Sequence, residues 1–441
     1  MPKRMRVSLV LALSLSAFIF GQSKNDSSLA MMEAAKEGNS KKILELLMGG
    51  ADVNCRGNFG YTPLITAAKH SQLEIARLLC DRGADPNAAA AISELDGEWG
   101  STPLLWAAKN CNMEMAGLLI EKGADVGRAG GEGDTPLILS AGNNCRPLVE
   151  LLISAGAPIE AIRGFDGANA LIEAVSNGHL DIAAYLIGMG ADLKIRDRFG
   201  RSLLSLSSAR KHFVEVRYFF EKGIPINDLD SDNCSAAFYS IGNSLESFYI
   251  LEYLIKKGAD PRIKSKNGVS PLMKASYEGL FDEVKLLIDS GATVEETDFR
   301  GETPLHYACR RIPHIREPGS KDIEAAEETV RLLLDKGAKP NSLDYEGQTP
   351  LMKAACGASS PAVTSILGKG VSLNFQDRNG WTALMYAAAW NQTEIIRVLI
   401  QHGAELNLKN SKGRTALGVA KEKEGTIQAY ELLKSLGARG E

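Results

Sequence analysis

The stretch GETPLHYACRR, residues 301–311, sets His306 three positions before Cys309, beside Tyr307, Arg310 and Arg311. An imidazole and a thiol are the pair from which a cysteine nucleophile and its base are assembled. Other chemistry is sparse. No H-E-x-x-H zinc helix and no G-x-x-x-x-G-K-[ST] phosphate loop is present. The glycines of GGEGDT, from Gly130, are accounted for by a turn and a helix cap. Whether His306 and Cys309 seed an active site depends on whether their surroundings occur once.

They recur. Counterparts of Thr303-Pro-Leu-His-Tyr-Ala-Cys begin at Thr62, Thr102, Thr135, Asn169, Ser202, Ser235, Ser270, Thr349, Thr382 and Thr415, and a degenerate copy, LAMMEAAKEG, begins at about Leu29. From Thr62 onward the steps are 40, 33, 34, 33, 33, 35, 33, 46, 33 and 33 residues. A period near 33 marks a repeat architecture, in which each unit buries its apolar face only by stacking on its neighbours. In NFGYTPLITAAKHSQLEIARLLCDRGADPN, residues 58–87, Thr62 caps a helix and Pro63 suits its first position. Leu64, Ala67 and Ala68 share one face, and the alanines let neighbouring helices approach closely. HSQ ends this helix. Leu73, Ile75, Leu78 and Leu79 then form the apolar side of a second helix, which Gly83 terminates. The segment that follows is a loop or hairpin leading to the next cap.

This unit resembles the ankyrin repeat, two antiparallel helices and a β-turn carrying the TPLHxA signature. The likeness runs over about residues 27–438. It implies an all-α-dominated solenoid of about twelve repeats, helix-turn-helix units joined by β-hairpin loops, with polar terminal caps at residues 27–54 and 413–441. It also places His306 where the family braces a helix start against the adjoining loop, and Cys309 in an alanine slot facing neighbouring helices. Both are therefore expected to be structural.

The chain of 441 residues carries a formal charge of −4, so no polybasic field draws it to nucleic acid. Its first residues differ from the rest. Lys3, Arg4 and Arg6 precede an apolar run from Val7 to Phe20, too short for a membrane span and right for a signal-peptide core. The expected organisation is a signal peptide at 1–21, a short polar linker at 22–28 and the array at 29–441. Cleavage would take the charge from −4 to −7. The protein is expected to be exported, periplasmic or secreted if bacterial. An uncleaved anchor is the alternative. Of the seven cysteines, Cys111 and Cys145 fall in the inter-helix turns of adjacent repeats and are the pair to test as a disulfide.

Function is expected where the repeats depart from one another. Such arrays bind through hairpin tips and the exposed face of first helices, where Lys, Asn, Glu and Ser are ordinary. Trp99, Trp106, Trp381 and Trp390 depart from that pattern, Trp106 being partly core, and Phe59 and Tyr61 lie near the first two. Exposed aromatics in such places are typical anchors. Nine aromatics crowd between Phe213 and Tyr253, as a repacked core or a second docking patch. An insertion after Arg310 contains Pro313 and Pro318, ahead of a longer helix starting near Ser320. Arg310, Arg311, His314 and Arg316 make it locally basic, a dock for an acidic partner or a solvated run. The expectation is a non-catalytic scaffold that binds a protein partner, needs no cofactor or metal and works as a monomer without stable membrane insertion. The rival readings are an enzyme with its site between repeats and a membrane-tethered scaffold.

Overall fold

A computed structural model describes residues 26–91, 100–164, 166–310, 321–356 and 360–439. Trp99, Arg311, His314, Arg316 and the leader at 1–21 lie outside them. Helices come in twelve pairs joined by turn-rich loops, with no strand among the described residues. The chain divides between Arg198 and Phe199 into two compact units.

In the first unit the pairs are residues 26–37 with Ser40–Met48, Pro63–Lys69 with Leu73–Asp81, Pro103–Lys109 with Met113–Glu121, Pro136–Gly142 with Arg146–Ser154, and Ala170–Ser176 with Leu180–Gly188. The opening helix is described from residue 26, inside the segment expected to be linker. Helix therefore covers the last residues of that segment, Asp26, Ser27 and Ser28. The capping expectation holds in detail. Thr62 Oγ1 accepts from the backbone N–H of Ile65 at 3.3 Å, with Pro63 at the first position. Leu64, Ile65, Ala67 and Ala68 are all buried, as are Ile75 and Leu79 on the second helix. Asn87 stitches neighbouring loops: its amide donates to Gly123 O at 2.9 Å and its oxygen accepts from Asp125 N–H at 2.7 Å.

Seven pairs make the second unit, from Leu203–Arg210 with Phe213–Glu221 to Ala416–Glu422 with Ile427–Ser435. Two are irregular. First, the helix Ala236–Ser240 has only five residues and stops where Ile241 turns extended. Its open carbonyls, of Tyr239, Ser240 and Ile241, accept from Lys211 Nζ at 2.8, 2.8 and 3.2 Å. A cation at a helix C-terminus is the favourable sign for the dipole. Second, the helix after the insertion, Lys321–Asp335, has 15 residues where Phe281–Asp289 has 9. The cap expected near Ser320 lies outside the described residues. The aromatic crowd is largely packing: Tyr253 meets Phe213 and Phe220 edge-on, at 5.7 and 6.0 Å between centroids, and Phe219 is fully buried.

Candidate functional site

In several repeats of the second unit, the loop ahead of the first helix is organised by one side chain five positions before the cap. Asp298 Oδ1 accepts from the N–H groups of Arg300 and Glu302, both at 2.8 Å, which closes the turn. Asp344, Asp377 and Asn410 do the same in later repeats. The second carboxylate oxygen reaches the first helix, four residues past the cap. Tyr307 donates to Asp298 at 2.9 Å and Tyr386 to Asp377 at 2.6 Å, Tyr239 pairs with Asp230, and Lys353 meets Asp344 at 2.8 Å. Burial, and then the Asp partner, raise these tyrosine hydroxyls above their ordinary pKa. They remain donors.

Backbone bonds then tie tip to tip. The N–H of Phe299 donates to Asn267 O at 3.1 Å, that of Tyr345 to Arg300 O at 2.8 Å, that of Arg378 to Glu346 O at 3.0 Å, and that of Ser411 to Asn379 O at 3.0 Å. The loops pack so closely that a Cβ on Gly301, at φ +77°, would lie 2.8 Å from the Tyr345 ring. On this fixed row Phe299 is 71% exposed and Tyr345 60%. Phe59 is half-exposed on a tip of the first unit, in left-handed backbone at φ 61°. A bulky residue is uncommon in that conformation and costs on the order of 1–3 kcal/mol there.

The other expected anchors divide. Trp390 is 49% exposed, with Lys423 Nζ over its ring at 4.1 Å. Trp381 is half-buried and leans on Tyr386, 5.0 Å between centroids. Tyr61 is half-buried, with Lys69 Nζ 4.9 Å from its ring centroid. Trp106 is corrected: it is only 6% exposed, because Lys69 and Lys109 cover its ring at 4.4 and 4.8 Å. It supports the face instead of forming it. Arg310 is corrected too. It lies across the Tyr307 ring at 4.8 Å and pairs with Glu302, which is 1% exposed, so the fold itself requires that charge.

Glu302 belongs to a buried polar strap. Lys353 Nζ lies 2.9 Å from its Oε1, in ionic contact off hydrogen-bond alignment, and donates to Gln348 Oε1 at 2.6 Å. Gln348 Nε2 donates to Tyr386 at 2.6 Å. Burial alone would raise the Glu302 carboxyl, but the Arg310 hydrogen bond and the close charges of Arg310 and Lys353 outweigh it and hold the pKa below the usual value. The strap fixes side chains and leaves no poised base in it.

His306 and Cys309 are enclosed. The Thr303 N–H donates to His306 Nδ1 at 3.1 Å, and Nε2 lies 3.1 Å from Gln348 O of the next repeat. A carbonyl only accepts, so Nε2 carries the proton and the ring is neutral. Burial lowers its pKa. Cys309 is fully buried and its thiol pKa is strongly raised by that burial. A thiol so placed is inert, because the thiolate is the nucleophile. Cys111 and Cys145 are joined as a disulfide, their Cα atoms 5.6 Å apart, within the usual range. Among the described residues no group of three or more His, Cys, Asp or Glu is placed to hold a metal. No described helix is long and apolar enough to cross a membrane.

The sequence reading passed over Phe299, whose signal was an aromatic one place before the Arg-Gly of a tip, in the register of Tyr345. It also passed over Glu215 and Glu283, buried at the third position of their helices, where Ile75, Ile182 and Ile395 sit in other repeats.

Family profiles described as "Ankyrin repeats (3 copies)" match residues 31–130, 128–197, 171–265, 244–317 and 355–440, and one described as "Ankyrin repeat" matches 300–345. Among curated proteins, the chain is 33% identical over 122 residues to the ankyrin repeat and KH domain-containing protein mask-1 of Caenorhabditis elegans, covering 28% of this chain and 5% of that one. It is 28% identical over 141 residues to an L-asparaginase of Dirofilaria immitis, covering 32% and 23%. It is 30% identical over 140 residues to a putative ankyrin repeat-containing protein of Treponema pallidum (strain Nichols), covering 31% and 46%. The matched segments span less than half the length of each of these relatives.

Proposed function

The chain belongs to the ankyrin repeat family, and on that premise we propose that it is a non-catalytic scaffold that binds a partner protein along its hairpin tips and first helices. Arrays of this family commonly serve as protein-binding scaffolds. The observation that carries the reading is the pairing of rigidity with exposure. Phe299 and Tyr345 stand out on tips held by backbone bonds to both neighbours and by the Asp298 and Asp344 turns. An aromatic fixed before binding loses little conformational entropy when it is covered. Phe59 and Trp390 extend the set of exposed rings. The test is capture of a partner by the whole protein and by F299A/Y345A. Retained folding with lost capture supports the reading. Equal capture removes the tips from it.

We also propose that the protein is exported as a monomer. The basic-then-apolar leader supports export, and so does the Cys111–Cys145 disulfide, since disulfides persist in oxidising compartments. N-terminal sequencing of the exported protein decides it: a start near Gln22 means cleavage, and Met1 on a membrane-bound protein means a retained anchor.

A further inference from the structure

On the inter-helix turns of the second unit, at the other end of the helices from the tips, lies an open cavity of about 660 Å³. The two irregular repeats build it. Its floor is the loop Gly242–Leu245, which exists because the helix Ala236–Ser240 stops early. One wall is the turn Glu278–Glu283, and the other is Ala325 and Glu328 on the lengthened helix Lys321–Asp335.

Every charged residue lining the cavity is acidic: Glu278, Asp282, Glu283 and Glu328. Glu283 is the telling one. It occupies a helix position that is apolar in most other repeats, though Glu215 shares it, is only 6% exposed, and bonds to its own backbone N–H, with no hydrogen bond or ion pair to another residue among the described residues. The Lys211 ammonium acts on it only as a neighbouring charge and is itself bound to three carbonyls. Burial raises the Glu283 pKa. A mostly buried carboxylate held only by its own backbone N–H is incompletely compensated, and a cation in the cavity would complete it. Phe248, Tyr249 and Phe281 add aromatic surface to the same lining, and Tyr249 is half-exposed. Carboxylates beside aromatic faces form the receptor for an organic cation.

We propose that this cavity receives an arginine or lysine side chain of a bound polypeptide, with Glu283 pairing its charged head and the aromatic rings covering its stem. The cavity is a second contact, distinct from the hairpin tips. It is too roomy for one ammonium ion and suits a side chain with its flanking backbone. The acidic charge of the chain as a whole favours approach of a basic segment.

The test titrates the full chain with N-acetylarginine amide, its neutral isostere N-acetylcitrulline amide and the free diamine putrescine, by calorimetry. Saturable binding of the arginine probe, little or none of the citrulline probe, and weaker binding as salt rises are expected. Glu283→Gln should weaken the arginine probe about tenfold, the scale of one charged hydrogen bond. Because that change sits in a helix start, the rim variant Asp282→Asn/Glu328→Gln provides a second reading, with a loss of the same order expected. Equal binding of arginine and citrulline probes, no binding of either, or unaltered affinity in both variants overturns the proposal. Binding of putrescine alone overturns the polypeptide source. None of these results bears on capture through Phe299 and Tyr345, which is read separately.

Discussion

Replacing His306 with alanine measures how far this residue is architecture. The change leaves the Thr303 N–H without its acceptor at 3.1 Å and the Gln348 carbonyl without its donor at 3.1 Å, in a site from which water is excluded. Each orphaned buried group costs roughly 1–3 kcal/mol, so the pair costs about 2–6 kcal/mol before the void is counted. His179→Ala is the control. That ring is part-exposed with one contact, Nε2 to Gly142 O at 3.0 Å, and its loss should cost about 1 kcal/mol or less. The assay is urea unfolding, with hydrogen exchange at Thr303 as the local readout, since long repeat arrays need not unfold in one step. There is a pH signature as well. The folded pKa of His306 is depressed by burial, while the unfolded value is near 6.5. Below about pH 6.5 the unfolded chain binds a proton that the folded ring refuses, so this residue's contribution is complete above that pH and declines as pH falls. The stability gap between wild type and His306→Ala should therefore narrow below about pH 6.5. A gap under about 0.5 kcal/mol at pH 7.5, or one that widens on acidification, refutes the bracing role.

Reduction of Cys111–Cys145 should lower the stability of the first unit by about 3–4 kcal/mol, as expected for a sequence separation of 34 residues, with Cys111→Ser/Cys145→Ser matching the reduced protein; unchanged unfolding in reductant would count against it. Cys309→Ser should destabilise by about 1–3 kcal/mol, by placing a hydroxyl in an enclosed apolar slot, and rapid labelling of native Cys309 by a thiol reagent would reopen the catalytic question. Arg310→Ala should destabilise the second unit by about 3 kcal/mol or more, because it exposes the buried Glu302 charge to loss of a partner. Glu302→Gln/Arg310→Ala should recover part of that loss, and no recovery would mean that the charge pair is not the cause. Deleting Ile312–Gly319 should leave stability nearly unchanged, as loop closure depends weakly on length, and an unfolded product would place the segment in the core.

The repeat period, the caps and the glycine stops were legible because each is a local signal written many times. Thr62 and Pro63 announce a helix start, and stacking does the rest. The tips were legible only in part. Burial depends on what lies opposite, and Trp106 is covered by Lys69 and Lys109, the lysine of its own repeat and that of the one before. Phe299 stands exposed on a row whose tips are joined through backbone hydrogen bonds, a placement that residue type alone does not announce. Arg310 read as surplus charge since Glu302, its buried partner, lies eight residues away on the far side of the cap. The cavity had a signal that pattern reading overlooks, a carboxylate at Glu283 in an apolar register. Its walls come from helix lengths at Ala236–Ser240 and Lys321–Asp335 that sequence alone leaves approximate.

The measurement closest to the central claim is partner capture by the whole protein against F299A/Y345A/W390A, each with its unfolding midpoint recorded. Rigid exposed aromatics of this kind carry about 2 kcal/mol or more apiece when they anchor a partner. The account expects the triple variant to unfold at the wild-type midpoint and to lose capture by at least a hundredfold. Undiminished capture with an unchanged midpoint would contradict the hairpin-tip surface, and a large fall in midpoint would show that these rings are packing and not an interface.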